Sequence, residues 1–461
     1  MQVKPVQAEF HTAMSSVAGL VWPPVLAGEA ADLAALMYQL EQSQWLSAAA
    51  IAVRQHGQLV ATAAHAVAHS AHFRARMQTA GLRPEQLSSL EGLHRLPVMR
   101  RRDVQAAGEA LFCTQIPQAH APIAESSTSG SSGEPVVIKR TSVNWLMWMA
   151  MTLREHLWQR RDFRGSLAVI RNDYIEGEQI DLPTWGPPAS LLFETGTSHA
   201  LAVRAGVARQ FEWLLSVKPD YLLVYPNNLA ALLDQFEQRG LKLPRLRQIR
   251  TINETLTSAI RESALRVLGV GIADTYSSQE VGVIAAQCPA SDLYHVMAEG
   301  LIVELLDEQD AACAPGQIGR VVVTDLHNLA TPLIRYDLGD YAVAAGDCPC
   351  GRGLPALRRI VGRRRNMVRL PDGRSLWPAI GGLHYSNIAP IRQFQFIQRE
   401  RDAIEMRLVS AAPLTAAQEQ QLGDLVRTAL DFPFRLHFVY FAEQIPRGPG
   451  GKFEEFICEL I

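Results

Sequence analysis

Ser127-Thr128-Ser129-Gly130-Ser131-Ser132-Gly133-Glu134-Pro135, followed directly by Val136-Val137-Ile138, is the stretch that orients the rest of the chain. Its small residues let backbone N–H groups turn toward an anion, and its hydroxyls can donate to phosphate oxygens. The β-branched run behind it reads as a strand. The loop therefore has the chemistry of a phosphate cradle. It is not a Walker A loop, because Glu134 follows Gly133 where a Lys and then Ser or Thr would be required. A carboxylate beside a triphosphate needs compensation by Mg²⁺ or by a distant cation. Taken alone, the same composition also suits a flexible surface loop.

Beyond this loop, apolar bursts alternate with helix-like windows. Residues 166–170, 221–224, 248–252 and 271–275 read as short buried strands, with amphipathic helices expected over 227–239 and 258–267. That alternation points to an α/β domain. Residues 301–306 and 319–324 read as strands without long helices between them, which suggests an attached antiparallel sheet or barrel. Upstream, 33–80 is rich in Ala, Leu, Gln and His at helical spacing, with Trp45, Leu46 and Ile51 expected to face inward. After a basic, Gly-containing junction at 362–366, strands are expected at 394–397, 404–409 and 437–440 and a helix over 416–430, enough for a small α+β domain. The expected organisation is a large domain over 1–361, a hinge at 362–366 and a small mobile domain over 367–461. The large domain is read as parallel sheets flanked by helices plus a smaller β-rich subdomain.

Composition narrows the classes. The chain has 461 residues, 48% hydrophobic and 20% charged, which suits a globular protein and excludes disordered or fibrous ones. Lys plus Arg is 44 against 46 Asp plus Glu, a formal charge of −2, so there is no global electrostatic footprint for nucleic acid or an anionic membrane. The basic cluster at 358–369 lacks interleaved aromatics, and no nucleic-acid partner is expected. The start MQVKPVQAEF lacks the pattern of a secretory signal, and the most apolar stretch, 20–40, is interrupted by Pro23, Pro24, Glu29 and Asp32. A cytoplasmic protein without membrane partners is expected. Its six cysteines then argue for buried thiols or a metal site rather than a disulfide framework. No Gly-x-Ser-x-Gly elbow, His-Glu-x-x-His or dinucleotide fingerprint occurs.

A collinear series of motifs runs through most of the chain. It comprises Leu96-Pro97-Val98 with Arg102-Asp103-Val104, the Ser/Gly loop, and Val217-Lys218-Pro219-Asp220-Tyr221-Leu222 with Tyr225-Pro226. There follow Asn253-Glu254-Thr255-Leu256, Asp274-Thr275-Tyr276-Ser277-Ser278-Gln279-Glu280, and Thr331-Pro332-Leu333-Ile334-Arg335-Tyr336-Asp337-Leu338-Gly339-Asp340. Gly362-Arg363 and Pro446-Arg447-Gly448-Pro449-Gly450-Gly451-Lys452 complete it. In this order the segments resemble the adenylate-forming superfamily, and within it the phenylacetate–CoA ligase-like branch. The resemblance implies an AMP-forming acid–thiol ligase using ATP, Mg²⁺ and coenzyme A, with acyl-AMP as intermediate. The loop Ser127, Thr128, Ser129, Gly130, Ser131, Ser132 and Gly133 would hold phosphates, and Asn253, Glu254 and Thr255 would stand in the adenine loop. Asp274, Thr275, Tyr276, Ser277 and Ser278 would approach the nucleotide, with Tyr276 stacked on adenine. Glu280 would bind Mg²⁺, Asp340 would accept from the ribose hydroxyls, and Arg363 would add a charge-assisted contact. Lys452, on a Gly-rich loop of the last domain, would reach the α-phosphate and offset charge developing during attack by the substrate carboxylate.

The chain departs from that pattern in places. Gln279 stands where Thr is usual, Ser277 where Gly is usual, and the adenine loop lacks its preceding Gly and its Pro. Arg364, Arg365 and Asn366 replace the usual acidic residues at the hinge; consecutive arginines there can stiffen it, bind coenzyme A phosphates or lie in solvent. By resemblance the acid is aryl or arylacetic, in a pocket expected from 182–193, with Trp185 and Phe193, and around Tyr225; core aromatics are the alternative. Transfer to a carrier protein or an amine, or a catalytically silent nucleotide-binding protein, are the competing functions. A homodimer is compatible with the sequence.

Cys288 and His295 form a C-x₆-H pair, and Cys348-Pro349-Cys350-Gly351 supplies a C-x-C pair. Three thiolates and one imidazole suit a closed, structural tetrahedral Zn²⁺ site. Members of the branch are similar in carrying Cys/His ligands here. The ion would pin the segment after Glu280 to the one after Asp340. Free buried cysteines are the alternative, and that reading is kept for Cys113, Cys313 and Cys458.

Overall fold

The computed structural model describes residues 13–127, 136–172, 174, 178–363, 367–376, 385, 388–410, 412–442, 444–446 and 453–460. Tyr221–Val224 is apolar and buried at every position, and Ile272–Ser278 is buried over its first five. A strand without alternation needs a sheet covered on both faces. Ser198–Ala202, Leu167–Arg171, Tyr221–Val224, Gln248–Ile252 and Ile272–Ser278 accordingly pair in parallel in that order. The helices Val207–Val217, Pro226–Arg239 and Ser258–Leu268 connect them. Each stops at a residue in the left-handed region, Lys218, Gly240 and Gly269. Phe211, Leu229, Leu233, Phe236 and Ile260 fill the space between helices and strands.

Ile272–Ser278 is a seam. One edge pairs in parallel with Gln248–Ile252, the other antiparallel with Gly282–Gln287. The chain reverses within 279–281, and Gly282, at φ 82°, takes a conformation that a side chain would resist. From the seam the sheet continues antiparallel through Tyr294–Val296, Ala356–Arg363, Tyr336–Ala344, Ile318–Asp325 and Leu301–Leu306. With Gln179–Leu182 antiparallel on the outer edge of Ser198–Ala202, the described residues form one twelve-stranded sheet. The β-rich part expected as an attached sheet or barrel is thus an extension of the main sheet, because a tight reversal after Glu280 leaves no gap in the ladder.

The expected N-terminal helical segment forms Glu29–Ser43, Ala48–His69 and Ala71–Thr79. Ile51 is buried and Leu46 partly so, but Trp45 is half exposed, contrary to expectation. Its ring is spent on a cation instead: the Arg352 guanidinium lies 5.0 Å from the Trp45 centroid and 4.7 Å from that of Trp158. Next to it, Gly353 N donates to Gln44 O at 3.0 Å. A Cβ on Gly353 would stand 1.8 Å from Leu46 O, backbone against backbone. Gly353→Ala is therefore expected to destabilise the fold by about 3 kcal/mol or more. Gly346→Ala, with nothing within 4 Å, should leave the denaturation midpoint unchanged.

The C-terminal part has its own core of Phe396, Ile404, Leu422, Val426, Phe434 and Phe456. Its four-stranded sheet runs Arg435–Phe441, Ala403–Ser410, Ile391–Glu400, Phe456–Cys458. The helix Ala416–Ala429 opens with a Thr415/Gln418 capping box. The strand Phe456–Cys458, too short to show a period, escapes the sequence analysis. Among the described residues no helix is long and apolar enough to cross a membrane.

Candidate active site

Strand pairing assembles the centre of the site. Asp340 and Arg363 are direct partners across an antiparallel pair, which brings Arg363 Nε 3.4 Å from Asp340 Oδ1. From the seam strand, the Tyr276 hydroxyl donates to Asp340 Oδ2 at 2.8 Å. Burial, reinforced by the Asp340 carboxylate, pushes the Tyr276 phenol well above its ordinary pKa, so it stays a donor. Burial works against the Arg363 charge, but Asp340, Glu454 and Glu280 outweigh it and raise its pKa. Asp340 is thus held by one hydrogen bond and one ion pair, and Arg363 feels acidic groups from three parts of the chain. Tyr276→Phe should cost about 1 kcal/mol of orientation. The expected readout is a several-fold rise in the KM for ATP with kcat little changed, from initial rates.

Glu280 is buried, and Arg101 Nη1 lies 3.9 Å from its Oε1. Arg101 arrives there because the segment before it is stitched to the Tyr336 strand. Met99 N donates to Arg335 O at 2.7 Å, and Asp337 N to Met99 O at 2.9 Å. Arg140, on Val137–Thr141, is also close enough to feel the Glu280 charge. Sequence reasoning singled out neither arginine. The signal available was the requirement for a cation to balance Glu134.

Asn253 sits at φ 68°, a conformation Asn tolerates. Glu254 Oε2 accepts from Asn227 N and Nδ2, both at 3.1 Å, and its Oε1 accepts from Phe453 N at 3.1 Å. Asn227 Nδ2 also donates to Phe453 O at 3.2 Å. The residue after Lys452 is thereby fastened to the adenine-loop equivalent and to the start of Pro226–Arg239. Lys452 itself, Thr128, Ser129, Gly130, Ser131, Ser132, Gly133, Arg364, Arg365 and Asn366 lie outside the described residues. The stems of the Ser/Gly loop do pair, Ser127 with Val137. Close by, burial pushes the Glu455 carboxyl from 4.5 up to about 7, and the Glu254 charge adds to the shift. A raised pKa means that the docked arrangement holds the proton more tightly. Its contribution is full below about pH 4.5 and is lost as pH rises through about 7. Hydrogen exchange around 453–458 should therefore speed up over that window, and Glu455→Gln should flatten the dependence.

Other expected site residues are spent elsewhere. Asp274 Oδ1 accepts from the Thr251 hydroxyl at 2.6 Å and its Oδ2 from the Tyr294 hydroxyl at 2.8 Å, which engages both carboxylate oxygens inside the sheet. Thr275 is buried, Ser277 is partly exposed, and Ser278 Oγ accepts from Val281 N at 3.2 Å to close the reversal. Thr255 is partly buried. Trp185 and Phe193, expected in the substrate pocket, are partly buried and packed against the core. Trp185 Nε1 donates to Gly165 O at 2.8 Å and its ring meets Phe163 and Tyr221 edge-on, while Phe193 stacks on Phe163 at 5.1 Å. Tyr225 is buried, with its hydroxyl accepting from Asn172 N at 3.2 Å. Aromatic area is worth more packed against other rings than left open in an empty groove.

The cysteine constellation does converge. One ligand atom each from Cys288, His295, Cys348 and Cys350 lies within 4.8 Å of every other. Cys348 and Cys288 sulfurs are 3.7 Å apart, too far for a disulfide but near the ~3.75 Å edge of a tetrahedron built on Zn–S bonds of about 2.3 Å. His295 Nε2 faces Cys350 Sγ at 3.2 Å. Burial pushes His295 down to about 4, so it presents a neutral imidazole, the ligating form. At Cys350 burial opposes the thiolate, but hydrogen bonds from Arg352 outweigh it and lower the pKa. The donor set fits a soft, closed, four-coordinate ion.

No family model matches the chain. It is 24% identical to a phenylacetate–coenzyme A ligase of Aromatoleum evansii over 326 residues, covering 68% of this chain and 70% of that one. It is 26% identical to the phenylacetate–coenzyme A ligase of Thermus thermophilus over 308 residues, 64% of this chain and 66% of that one. Among solved structures, 2-hydroxyisobutyryl-CoA ligase in the postadenylation state, in complex with its acyl-AMP, superposes with a TM-score of 0.70 at 20% identity, covering 88% and 89% of the two chains. An anthranilate CoA ligase in complex with anthranoyl-AMP gives 0.50 at 17% identity over 71% of this chain and 65% of that one. With its motifs in order along a sheet of the same architecture, the chain is similar in sequence to phenylacetate–CoA ligases and shares its fold with 2-hydroxyisobutyryl-CoA ligase.

Proposed function

We propose that the chain activates a carboxylic acid with ATP, giving acyl-AMP and pyrophosphate, and then forms a thioester with coenzyme A. The observation that carries this reading is the Tyr276–Asp340–Arg363 cluster, together with the anchorage of Phe453 on Glu254 and Asn227. Asp340, oriented by Tyr276 and Arg363, would accept from the ribose hydroxyls. Mg²⁺, when bound, neutralises phosphate charge and would take the hard carboxylate oxygens of Glu280. Lys452 would oppose charge developing at the α-phosphate, and a closed lid would keep water from the acyl-adenylate. Rotation of the small domain about 362–366 would then admit the thiol. Gly362, at φ 126°, gives the chain a backbone setting there that a side chain would resist.

An aryl or arylacetic acid is the substrate class we favour, supported by the phenylacetate and anthranilate named for the relatives. We also assign a structural Zn²⁺ to Cys288, His295, Cys348 and Cys350. The deciding experiment is carboxylate-dependent exchange of labelled pyrophosphate into ATP over a panel of aryl, arylacetic and aliphatic acids. Thioester formation is then compared with free coenzyme A and with a holo carrier protein. Exchange with aryl acids followed by coenzyme A thioester is expected. Absence of exchange with every acid would reject the activity.

A further inference from the structure

Cys288, His295 and Cys348 are buried. Ligation takes cysteine as thiolate and histidine as neutral imidazole, so three sulfurs and one ring around Zn²⁺ carry a net charge of about −1. A net charge held away from water is costly unless a counter-charge stands beside it. We propose that Arg352 is this counter-charge, and that its clamp between Trp45 and Trp158 couples metal affinity to the docking of the N-terminal helices. The proposal rests on the zinc assignment and adds to it a residue outside the ligand set.

The three sulfurs have different partners. Ala290 N donates to Cys288 Sγ at 3.4 Å, and the Ser291 hydroxyl lies 3.2 Å from Cys348 Sγ. Both of those groups are neutral. Cys350 instead receives hydrogen bonds from the Arg352 backbone N–H and from the Arg352 side chain. The other cation near His295, Arg154, is engaged by both oxygens of Glu299 at 2.7 and 3.0 Å. Among the described residues no carboxylate forms an ion pair with Arg352, so its charge is available to the sulfurs.

The guanidinium is also held in place. Arg352 Nε donates to Gln44 Oε1 at 2.8 Å, and the guanidinium carbon stands 5.0 Å from the Trp45 ring centroid and 4.7 Å from that of Trp158. Gln44 is almost wholly buried, and the same oxygen accepts from Trp158 Nε1 at 2.9 Å. The Trp158 ring in turn meets His295 edge-on, with centroids 5.7 Å apart. One amide oxygen thereby fixes an arginine beside a thiolate and an indole beside the imidazole. Gln44 caps the end of Glu29–Ser43, Trp45 follows it, and Trp158 ends the helix Ser142–Trp158. A planar guanidinium can lie against two rings and still aim N–H groups at a sulfur and an amide, which a compact ammonium does less well. Outer partners of this kind orient ligands and tune the metal. Because the same side chain touches both the ligand set and the helices, metal binding and helix docking must favour each other reciprocally.

The test uses the full chain as wild type, Arg352→Gln, Arg352→Lys, Trp45→Leu and the Arg352→Gln/Trp45→Leu double variant. Metal is removed under reducing conditions. Zn²⁺ is then titrated in competition with a chromophoric chelator, and Co²⁺ is added as a spectroscopic probe of tetrahedral thiolate coordination. Arg352→Gln should keep the wild-type Co²⁺ spectrum, since the ligands remain, yet bind Zn²⁺ roughly 10- to 100-fold more weakly. Arg352→Lys should recover part of the loss. Trp45→Leu should weaken Zn²⁺ by about 2- to 5-fold, and in the double variant it should add little, because both changes act through one guanidinium. Melting with and without Zn²⁺ separates this role from a merely structural one: the rise in melting temperature on adding Zn²⁺ should shrink in Arg352→Gln. Should Arg352→Gln fail to fold, Arg352→Lys and Trp45→Leu carry the same comparison. Wild-type Zn²⁺ affinity in Arg352→Gln, or equal loss of melting temperature with and without metal, would overturn the counter-charge and leave the zinc site standing. Additive losses in the double variant would overturn the coupling. A wild type that takes up neither Zn²⁺ nor Co²⁺ would remove the zinc site and the proposal together.

Discussion

Lys452→Ala is expected to lower carboxylate-dependent pyrophosphate exchange by about two to three orders of magnitude, the usual effect of deleting one preorganised group aimed at transition-state charge. Phe453 N and O are both hydrogen-bonded to the large domain, at 3.1 Å to Glu254 and 3.2 Å from Asn227. Because the proposed role lies in the first half-reaction, thioester formation from supplied acyl-adenylate should continue in the variant, and its melting temperature should match the wild type. Unchanged exchange would remove Lys452 from the mechanism. Equal loss of both half-reactions would point to a damaged lid rather than a missing charge.

Disrupting the proposed zinc site is expected to be the largest single blow to stability. Cys348→Ser, or stripping with a strong chelator, should abolish one bound zinc per chain and lower the melting temperature by roughly 10 °C, since structural zinc contributes folding free energy directly. The four ligands come from the end of Gly282–Gln287, from Tyr294–Val296 and from the turn after Tyr336–Ala344. Arg352 and Gly353 continue that turn onto the N-terminal helices through Gln44, Trp45 and Trp158. Loss of the ion would leave buried thiols without a partner and free the strands carrying Glu280 and Asp340 to shift against each other. Exchange activity should fall with stability. Elemental analysis finding no zinc in protein purified without chelator would remove the site.

The elements most legible in the sequence were those whose pattern is local. Pro226–Arg239 and Ser258–Leu268 fall within a residue of their expected limits, because period, a start signal (Pro226 in the first, the Thr257 cap in the second) and Gly at the stop sit within one window. Tyr221–Val224 and Gln248–Ile252 were equally clear, since a short apolar run between helices has few other readings. Trp45 and Trp185 were harder. An aromatic side chain suits a core, a pocket or a cation platform, and the choice depends on neighbours far along the chain: Arg352 for Trp45, and Phe163 with Tyr221 for Trp185.

The same division runs through the site. Residue types and their succession were sufficient to name the chemistry, because phosphate, magnesium and ribose each demand particular donors and acceptors. Asp340 and Glu280 stood out through the resemblance that the motif order carries, and the Cys288–His295–Cys348–Cys350 set through residue type and spacing. Which of those groups remain available to a ligand was decided by packing alone. Asp274 is engaged by Thr251 and Tyr294, Tyr276 reaches Asp340, and Arg101 arrives at Glu280 only because Met99 bonds to the Tyr336 strand. Hydrogen bonds across a sheet join residues by register rather than by distance along the chain. That is why the motifs could be read in one dimension, whereas their partnerships required three.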